Sequence, residues 1–536
     1  MAGDLVADAA THPAWWRDRL QGESLARGDI SPLFATVDFP KLAVGADDDM
    51  ANQPGGVPQV GVLNRILASH TEVAQGVDHT VACLPAPASC PGPLQGRLQP
   101  YTVYVPNRPV PARGFGLMLQ LHALATTYNL FSGTRHESQF ADRGDGYLVV
   151  TPEARGPDGF YASLAEADTF EAWADAASHY RLDPDRTDVS GTSMGGIGTF
   201  KLAEQFPDLF ARAHTTVGDS GDNLPVASLR NLPLLMWNIA TDELVPAAGY
   251  LPTAQRLDSL GYRYGIQVFT PGEHVTLDVN DQFAPAADFL ASTVVPRDPA
   301  HVTYVAVPSL DRPDLGLVGD HAYWLDRIRL RSTAAGAGRS GTDSGAAAGT
   351  LDVRSGGYGV ADAPVLATTP VAGTLTGGTL PYPLAYAGQT KAWGPAVAEK
   401  PTDHLVIKAT NVSSVLVDAT RARVSCSPAL DVTTDGPLTV TLSGCPGAGG
   451  APGGVTLPRG HTVRPARGHT AGRARTRAPV AAPPAQPVRA LAFTGRPGWA
   501  AGAGLLSLCA AAAARGGGAA RTARRSRRAG EALARH

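Results

Sequence analysis

A doubly wound, mostly parallel α/β sheet, followed by a small all-β domain and a disordered tail, is the architecture this sequence predicts. Three observations predict it. From Leu98 to about residue 297, apolar strand runs alternate with helical spacings, the signature of a sheet covered on both faces. Beyond Pro296 the runs become short and β-type, separated by Gly/Ser/Ala-rich loops. After Cys445 large apolar side chains almost disappear into Pro, Ala, Gly and Arg, too few to bury a core.

The elements follow in order. Pro13-Ala14-Trp15-Trp16-Arg17 opens a short amphipathic helix within an N-terminal extension, 1–97, whose remainder is rich in Gly, Pro and Asp. In the α/β domain, 98–297, strands are expected at Tyr101–Val105, Gly116–His122 and Tyr147–Thr151. Leu164, Ala167, Phe170, Trp173, Ala174 and Ala177 then mark a helix over 164–180. Next come a strand at Thr187–Ser190, a helix at Gly195–Gln205, and strands at Ala213–Val217 and Leu232–Ile239. A helix at Ala247–Leu260, a strand at Tyr264–Phe269 and a helix at Gln282–Thr293 complete the domain. Thr303–Val307, Leu405–Lys408 and Leu438–Leu442 belong to a β-rich accessory domain, 298–445. Residues 446–490 read as a tether and 491–536 as a terminal signal.

The 536-residue chain has a net charge of −3, which hides an asymmetry. Residues 446–536 hold fifteen Arg, no Lys, no Asp and one Glu, leaving an acidic body of net −17. A basic tail on an acidic body points to a tail that meets an anionic surface, and gives no reason to expect a nucleic-acid partner. The five cysteines fall as Cys83 with Cys90, Cys426 with Cys445, and Cys509 alone in an apolar run. Two close pairs predict two small disulfide loops in an oxidising compartment, with unpaired structural thiols as the alternative. No Cys-x-x-Cys or His-rich ligand spacing accompanies them, so neither a metal nor a cofactor is expected. Residues 1–30 carry Asp4, Asp8, Arg17, Asp18, Arg19 and Glu23 and show no signal-peptide core, which conflicts with the expected extracytoplasmic location; a true start upstream is the favoured resolution, with export by another route or a different compartment as the alternatives.

The chemistry centres on Gly191-Thr192-Ser193-Met194-Gly195, between a short strand and a helix. A nucleophilic serine needs this setting. A tight strand-to-helix turn lifts its oxygen clear of the sheet beside a helix N-terminus, and small flanking residues make the turn possible. Its hydroxyl is too weakly acidic to attack alone, so a histidine base and an orienting carboxylate are required. Asp242, after the strand ending at Ile239, and His274, after the strand ending at Phe269, stand in the required order and spacing. Asp219 and Asp222 are the rival acids. The developing oxyanion needs two N–H donors, expected from Met194 and from Ala123 or Leu124 in the turn after Gly116–His122. His122 is expected to order that turn rather than to catalyse.

Leu121-His122, Tyr180 through Arg186, Ser190 through Gly196, Gln205 through Phe210 and Asp242 through Pro246 together resemble the α/β-hydrolase superfamily. The resemblance is to the branch shared by prolyl-oligopeptidase catalytic domains and polyhydroxybutyrate-depolymerase-like or dienelactone-hydrolase-like esterases. It implies a Ser193, Asp242, His274 triad and a peptide or ester substrate. Two positions depart from the family: Ala123 stands where Gly usually follows the oxyanion-turn His, and Ile239 stands where Gly commonly lies three residues before the acid.

In the tail, Leu491-Ala492-Phe493-Thr494-Gly495 resembles the Leu-Ala-x-Thr-Gly pentapeptide of actinobacterial sortase substrates. Eighteen uncharged residues, 497–514, and the arginines from Arg521 to Arg528 follow it. That order lets the uncharged run pause in a bilayer with the arginines inside. It implies a sortase-like transpeptidase as partner and the cell wall as destination. The rival reading is a surface-displayed binding protein, whose β-rich domain recognises a wall polymer beside a degenerate hydrolase scaffold.

Overall fold

The structure is a computed structural model that describes residues 60–75, 93–221, 225–291, 293–338, 345–445, 454–457 and 462–463. The central parallel strands are apolar along their length because both their faces are covered. Phe115–Leu121 (β3) is buried at every position, as is Leu234–Ile239 (β7). With Gly61–Ala68 (β1), Leu98–Val105 (β2), Tyr147–Pro152 (β4), Leu182–Thr192 (β5), Arg212–Thr216 (β6) and Tyr264–Thr270 (β8) they form most of one sheet, ordered β1-β2-β4-β3-β5-β6-β7-β8. Strands β4, β3, β5, β6, β7 and β8 are mutually parallel, and β1 and β2 add antiparallel at one edge.

Helices cover both faces, and because the strands are parallel their carboxyl ends share one rim. Leu164–His179 (α2), Met194–Gln205 (α3) and Ala247–Leu260 (α4) follow Arg135–Ala141 (α1) in the chain. One core joins Leu119, Leu121 and Val189 of the sheet to Phe200 and Leu202 of α3 and Tyr250 and Leu257 of α4. On the opposite face, Met118, Val149, Trp237 and Phe269 pack with Phe140 of α1 and with Leu277 and Leu290 of the last helices, Thr276–Asn280 (α5) and Ala284–Leu290 (α6). This is the doubly wound arrangement expected from the alternating pattern.

The sheet is wider than expected at both edges. Strand β1 comes from within the stretch read as an N-terminal extension. The hairpin Thr369–Leu375 (β12) and Leu384–Lys391 (β13), from within the β-rich stretch, pairs antiparallel with β8 and makes the sheet ten-stranded. The 98–297 boundaries therefore cut through one sheet. The physical reason is that β8 ends the parallel block with an open row of backbone groups, which the hairpin satisfies.

The remaining β residues form a sandwich, an architecture that buries the alternate residues of each strand. Leu325–Leu330 (β10), Val412–Asp418 (β15), Leu438–Ser443 (β17) and Gly454–Leu457 (β18) make one sheet. His301–Ala306 (β9), Gly349–Ser355 (β11), His404–Thr410 (β14), Ala429–Thr434 (β16) and Thr462–Val463 (β19) make the other. Val302, Tyr304, Trp324, Leu351, Ile407 and Val417 lie in its core, and a disulfide joins Cys426 to Cys445 with Cα atoms 5.7 Å apart. The sandwich docks where α3 ends: Tyr304 donates its hydroxyl to the Gln205 carbonyl at 2.8 Å and Tyr323 to that of Pro207 at 3.1 Å. Cys83, Cys90, Cys509, the helix expected from Pro13 and the pentapeptide Leu491–Gly495 lie outside the described residues. So does the stretch 446–490 read as a tether, except for β18 and β19, which extend the sandwich past residue 445 by pairing antiparallel with the edges of β17 and β16; backbone pairing at an open sheet edge needs no apolar core of its own. Among the described residues no helix is long and apolar enough to cross a membrane.

Candidate active site

Ser193 sits between the last residue of β5 and the first of α3, with φ 56° and ψ −116°. A non-glycine residue adopts such a conformation only where its surroundings impose it. Here they do. A Cβ on Gly191 would lie 2.3 Å from the Gly195 carbonyl oxygen, and one on Gly195 would lie 2.1 Å from that of Leu121, so both flanks must lack side chains. The Ser193 N–H donates to the Thr216 carbonyl of β6 at 2.9 Å, tying the turn to the neighbouring strand. The hydroxyl makes no capping bond to α3. It is left to point at the rim.

Asp242 and His274 reach the same place from the ends of β7 and β8. His274 Nε2 lies 2.7 Å from Ser193 Oγ, and Nδ1 lies 2.8 Å from Asp242 Oδ2. All three side chains are buried, with Ser193 8%, Asp242 5% and His274 5% exposed. An ionised carboxylate only accepts, so Nδ1 carries the proton and Nε2 is left to accept from the serine hydroxyl. Asp242 also accepts the N–H groups of Leu244 at 2.9 Å and Val245 at 2.8 Å, which fixes its carboxylate plane. Of the rival acids, Asp219 lies against Gly249 of α4 and Asp222 is outside the described residues.

The turn after β3 packs directly on the serine turn, because Gly195 sits against the Leu121 and His122 carbonyls. Met194 heads α3. Its N–H, and those of Ala123 and Leu124, have no protein acceptor among the described residues. Ala123 is absent from the residues of positive φ, so the backbone there does not call for glycine. The His122 ring is buried with Nε2 3.0 Å from the Glu153 carbonyl and Nδ1 3.0 Å from that of Ala123. Its ring bonds to the turn it was expected to order, and among the described residues it makes no hydrogen bond to Ser193. Burial lowers its pKa.

Sequence reasoning missed several groups here. Asp278 on α5 accepts the Thr192 hydroxyl at 2.9 Å and so ties the helix after His274 to the residue before Ser193. Burial pushes its carboxyl up to about 7, against the opposing effects of the Thr192 hydroxyl and His274. Glu243 accepts the His274 N–H at 3.2 Å. A buried Asp in a Thr-Leu-Asp-Val run and a Glu beside the expected acid carry no local signal of these roles. Among the described residues no cluster of three or more His, Cys, Asp or Glu is arranged to hold a metal ion.

No protein-family model matches the chain, and no curated protein matches it. Solved structures that it resembles include esterases and a serine hydrolase. A thermostable esterase is 21% identical with a TM-score of 0.32, over 37% of this chain and 60% of the esterase. A ferulic acid esterase is 15% identical with a TM-score of 0.33, over 44% and 97%. The fluorophosphonate-binding serine hydrolase F of Staphylococcus aureus is 15% identical with a TM-score of 0.31, over 44% and 99%. The chain thus spans about three-fifths of the length of the first of these relatives.

Proposed function

We propose that the protein is a serine hydrolase acting through an acyl-enzyme on a carboxylic ester or a peptide. The observation that carries this reading is the unbroken run of hydrogen bonds from Asp242 through His274 to a serine hydroxyl held on a strained turn at a helix N-terminus. In this reading His274 Nε2 takes the Ser193 proton as Oγ attacks the substrate carbonyl, and Asp242 stabilises the imidazolium. The amide of Met194 and that of Leu124 or Ala123 hold the oxyanion. His274 then protonates the departing alcohol or amine, and water repeats the sequence to free the acid. Geometry favours Leu124 over Ala123. The His122 carbonyl faces Gly195, so the Ala123 N–H, antiparallel to it across a trans peptide, points away from the serine turn.

The test is labelling by a fluorophosphonate probe, expected for the wild type and lost in Ser193→Ala. Equal labelling of both proteins would refute the assignment. Parallel assays on short-chain aryl esters and peptide amides then separate esterase from peptidase. We also propose that the tail directs the protein to the cell wall through a sortase-like transpeptidase, on the strength of the order of pentapeptide, uncharged run and arginines. Thr494→Ala should release the protein from the wall fraction. Retention there would refute it.

A further inference from the structure

The loop that follows β4 grips the turn expected to bind the oxyanion at three points. The Glu153 carbonyl faces the His122 ring at 3.0 Å, the Pro157 carbonyl accepts the Ala125 N–H at 2.9 Å, and the Tyr161 hydroxyl donates to the His122 carbonyl at 3.1 Å. The grip is built at a conformational cost. Ala154, Arg155, Phe160, Tyr161 and Ser163 all have φ between 47° and 61° or at those limits, a left-handed region that non-glycine residues adopt only where their surroundings impose it. Tyr161 is fully buried. Its ring centroid lies 5.7 Å from that of His122, edge to face, and its other side rests on Gly198 of α3, where a Cβ would come within 2.4 Å of the ring. Burial raises its pKa, so the phenol stays a proton donor.

We infer that Tyr161 is a positioning residue whose hydroxyl, by holding the His122 carbonyl, sets the orientation of the peptides in the oxyanion-binding turn relative to Ser193. The inference rests on the serine-hydrolase reading. The bond fixes the plane of the His122–Ala123 peptide, with the carbonyl toward the serine turn and the Ala123 N–H away from it, and so sets the direction in which the chain enters the next peptide, whose N–H belongs to Leu124. Strain imposed on the residue that makes this bond indicates that the surroundings over-determine its place. Gly198 extends the same link to α3, whose first amide belongs to Met194.

The test uses the full chain, a short-chain aryl ester, and a trifluoromethyl ketone, which forms a tetrahedral oxyanion adduct with a nucleophilic serine. Tyr161→Phe keeps the ring and removes only the donor. It should lower kcat roughly tenfold with KM within about twofold, and weaken ketone binding by the same factor. Gly198→Ala keeps the hydroxyl but pushes the ring, and should move kcat and ketone affinity together in the same direction. The second variant also covers the case in which Tyr161→Phe does not fold. A folded Tyr161→Phe enzyme with wild-type kcat, or with a loss confined to KM and unchanged ketone affinity, would overturn the inference while leaving the hydrolase reading intact. A wild type that neither turns over ester nor binds the ketone would overturn that reading and this one with it.

Discussion

Gly195 shows how little freedom the serine turn has. Alanine there would place its methyl group 2.1 Å from the Leu121 carbonyl oxygen, a backbone atom that cannot swing aside. Gly195→Ala is therefore expected to destabilise the fold by about 3 kcal/mol and to abolish fluorophosphonate labelling; thermal melting and labelling read both effects. Asp242 acts at the same scale through a single proton. Asp242→Asn can keep the bonds from Leu244 and Val245 but favours the wrong imidazole tautomer, so kcat should fall roughly 10⁴-fold with the melting temperature changed little. An unchanged kcat would show that His274 needs no carboxylate to orient it.

At the scale of elements, the hairpin β12–β13 seals the open edge of β8 and braces the helix after His274. Thr379 donates its N–H to the Asn280 carbonyl at 2.9 Å, and Gln282 donates to the Thr376 carbonyl at 2.9 Å. Replacing 369–391 by a short Gly/Ser linker exposes the edge of a long parallel sheet, an edge that invites pairing between chains. Size-exclusion chromatography should then show aggregates in place of the wild-type species. The hairpin was hard to read for a physical reason. Its residues, such as Thr369-Pro370-Val371-Ala372-Gly373, are weakly apolar and half exposed, and nothing local says which of two sheets a strand will join. Strand β1 was hidden differently. It exposes Val62 and Ile66 and turns Arg65 inward to the Tyr101 hydroxyl at 2.9 Å, so its apolar alternation marks the wrong face.

Across the whole molecule, buried carboxyl groups give stability a definite dependence on pH. Burial pushes Glu137 up to about 8 against a bond from Gly133, Glu153 up to about 8 against a bond from Tyr128, and Asp278 up to about 7. These groups bind protons more tightly folded than unfolded. Their contribution is complete below the unfolded pKa near 4 and is lost as pH rises through 7 and 8. The melting temperature should therefore be higher at pH 6 than at pH 8.5, and Glu137→Gln should flatten the difference. A melting temperature that rises across this interval would show that these carboxyls are ionised in the folded protein. The docked sandwich has its own consequence: a chain cut after residue 297 loses β12, β13 and the Tyr304 and Tyr323 bonds to the end of α3. It should be insoluble or melt well below the full chain, as circular dichroism would show.

Local pattern encodes the buried strands β3, β4 and β7, the helices α2, α3 and α4, and the glycine-flanked serine between strand and helix. Each depends on periodicity or on turn sterics within a few residues. The order Ser193, Asp242, His274 was legible as well, because each residue follows a strand and parallel strands present their carboxyl ends on one rim. Long-range packing, which no local pattern records, brings His274 within 2.8 Å of both partners, Asp278 to Thr192 and Tyr161 to His122, and adds strands to the sheet from both flanking regions. These relations join residues from 39 to 86 positions apart in the examples of Tyr161 with His122 and Asp278 with Thr192. Their energy comes from burying polar groups that must then find partners wherever the fold brings them, and no neighbouring residue records that choice.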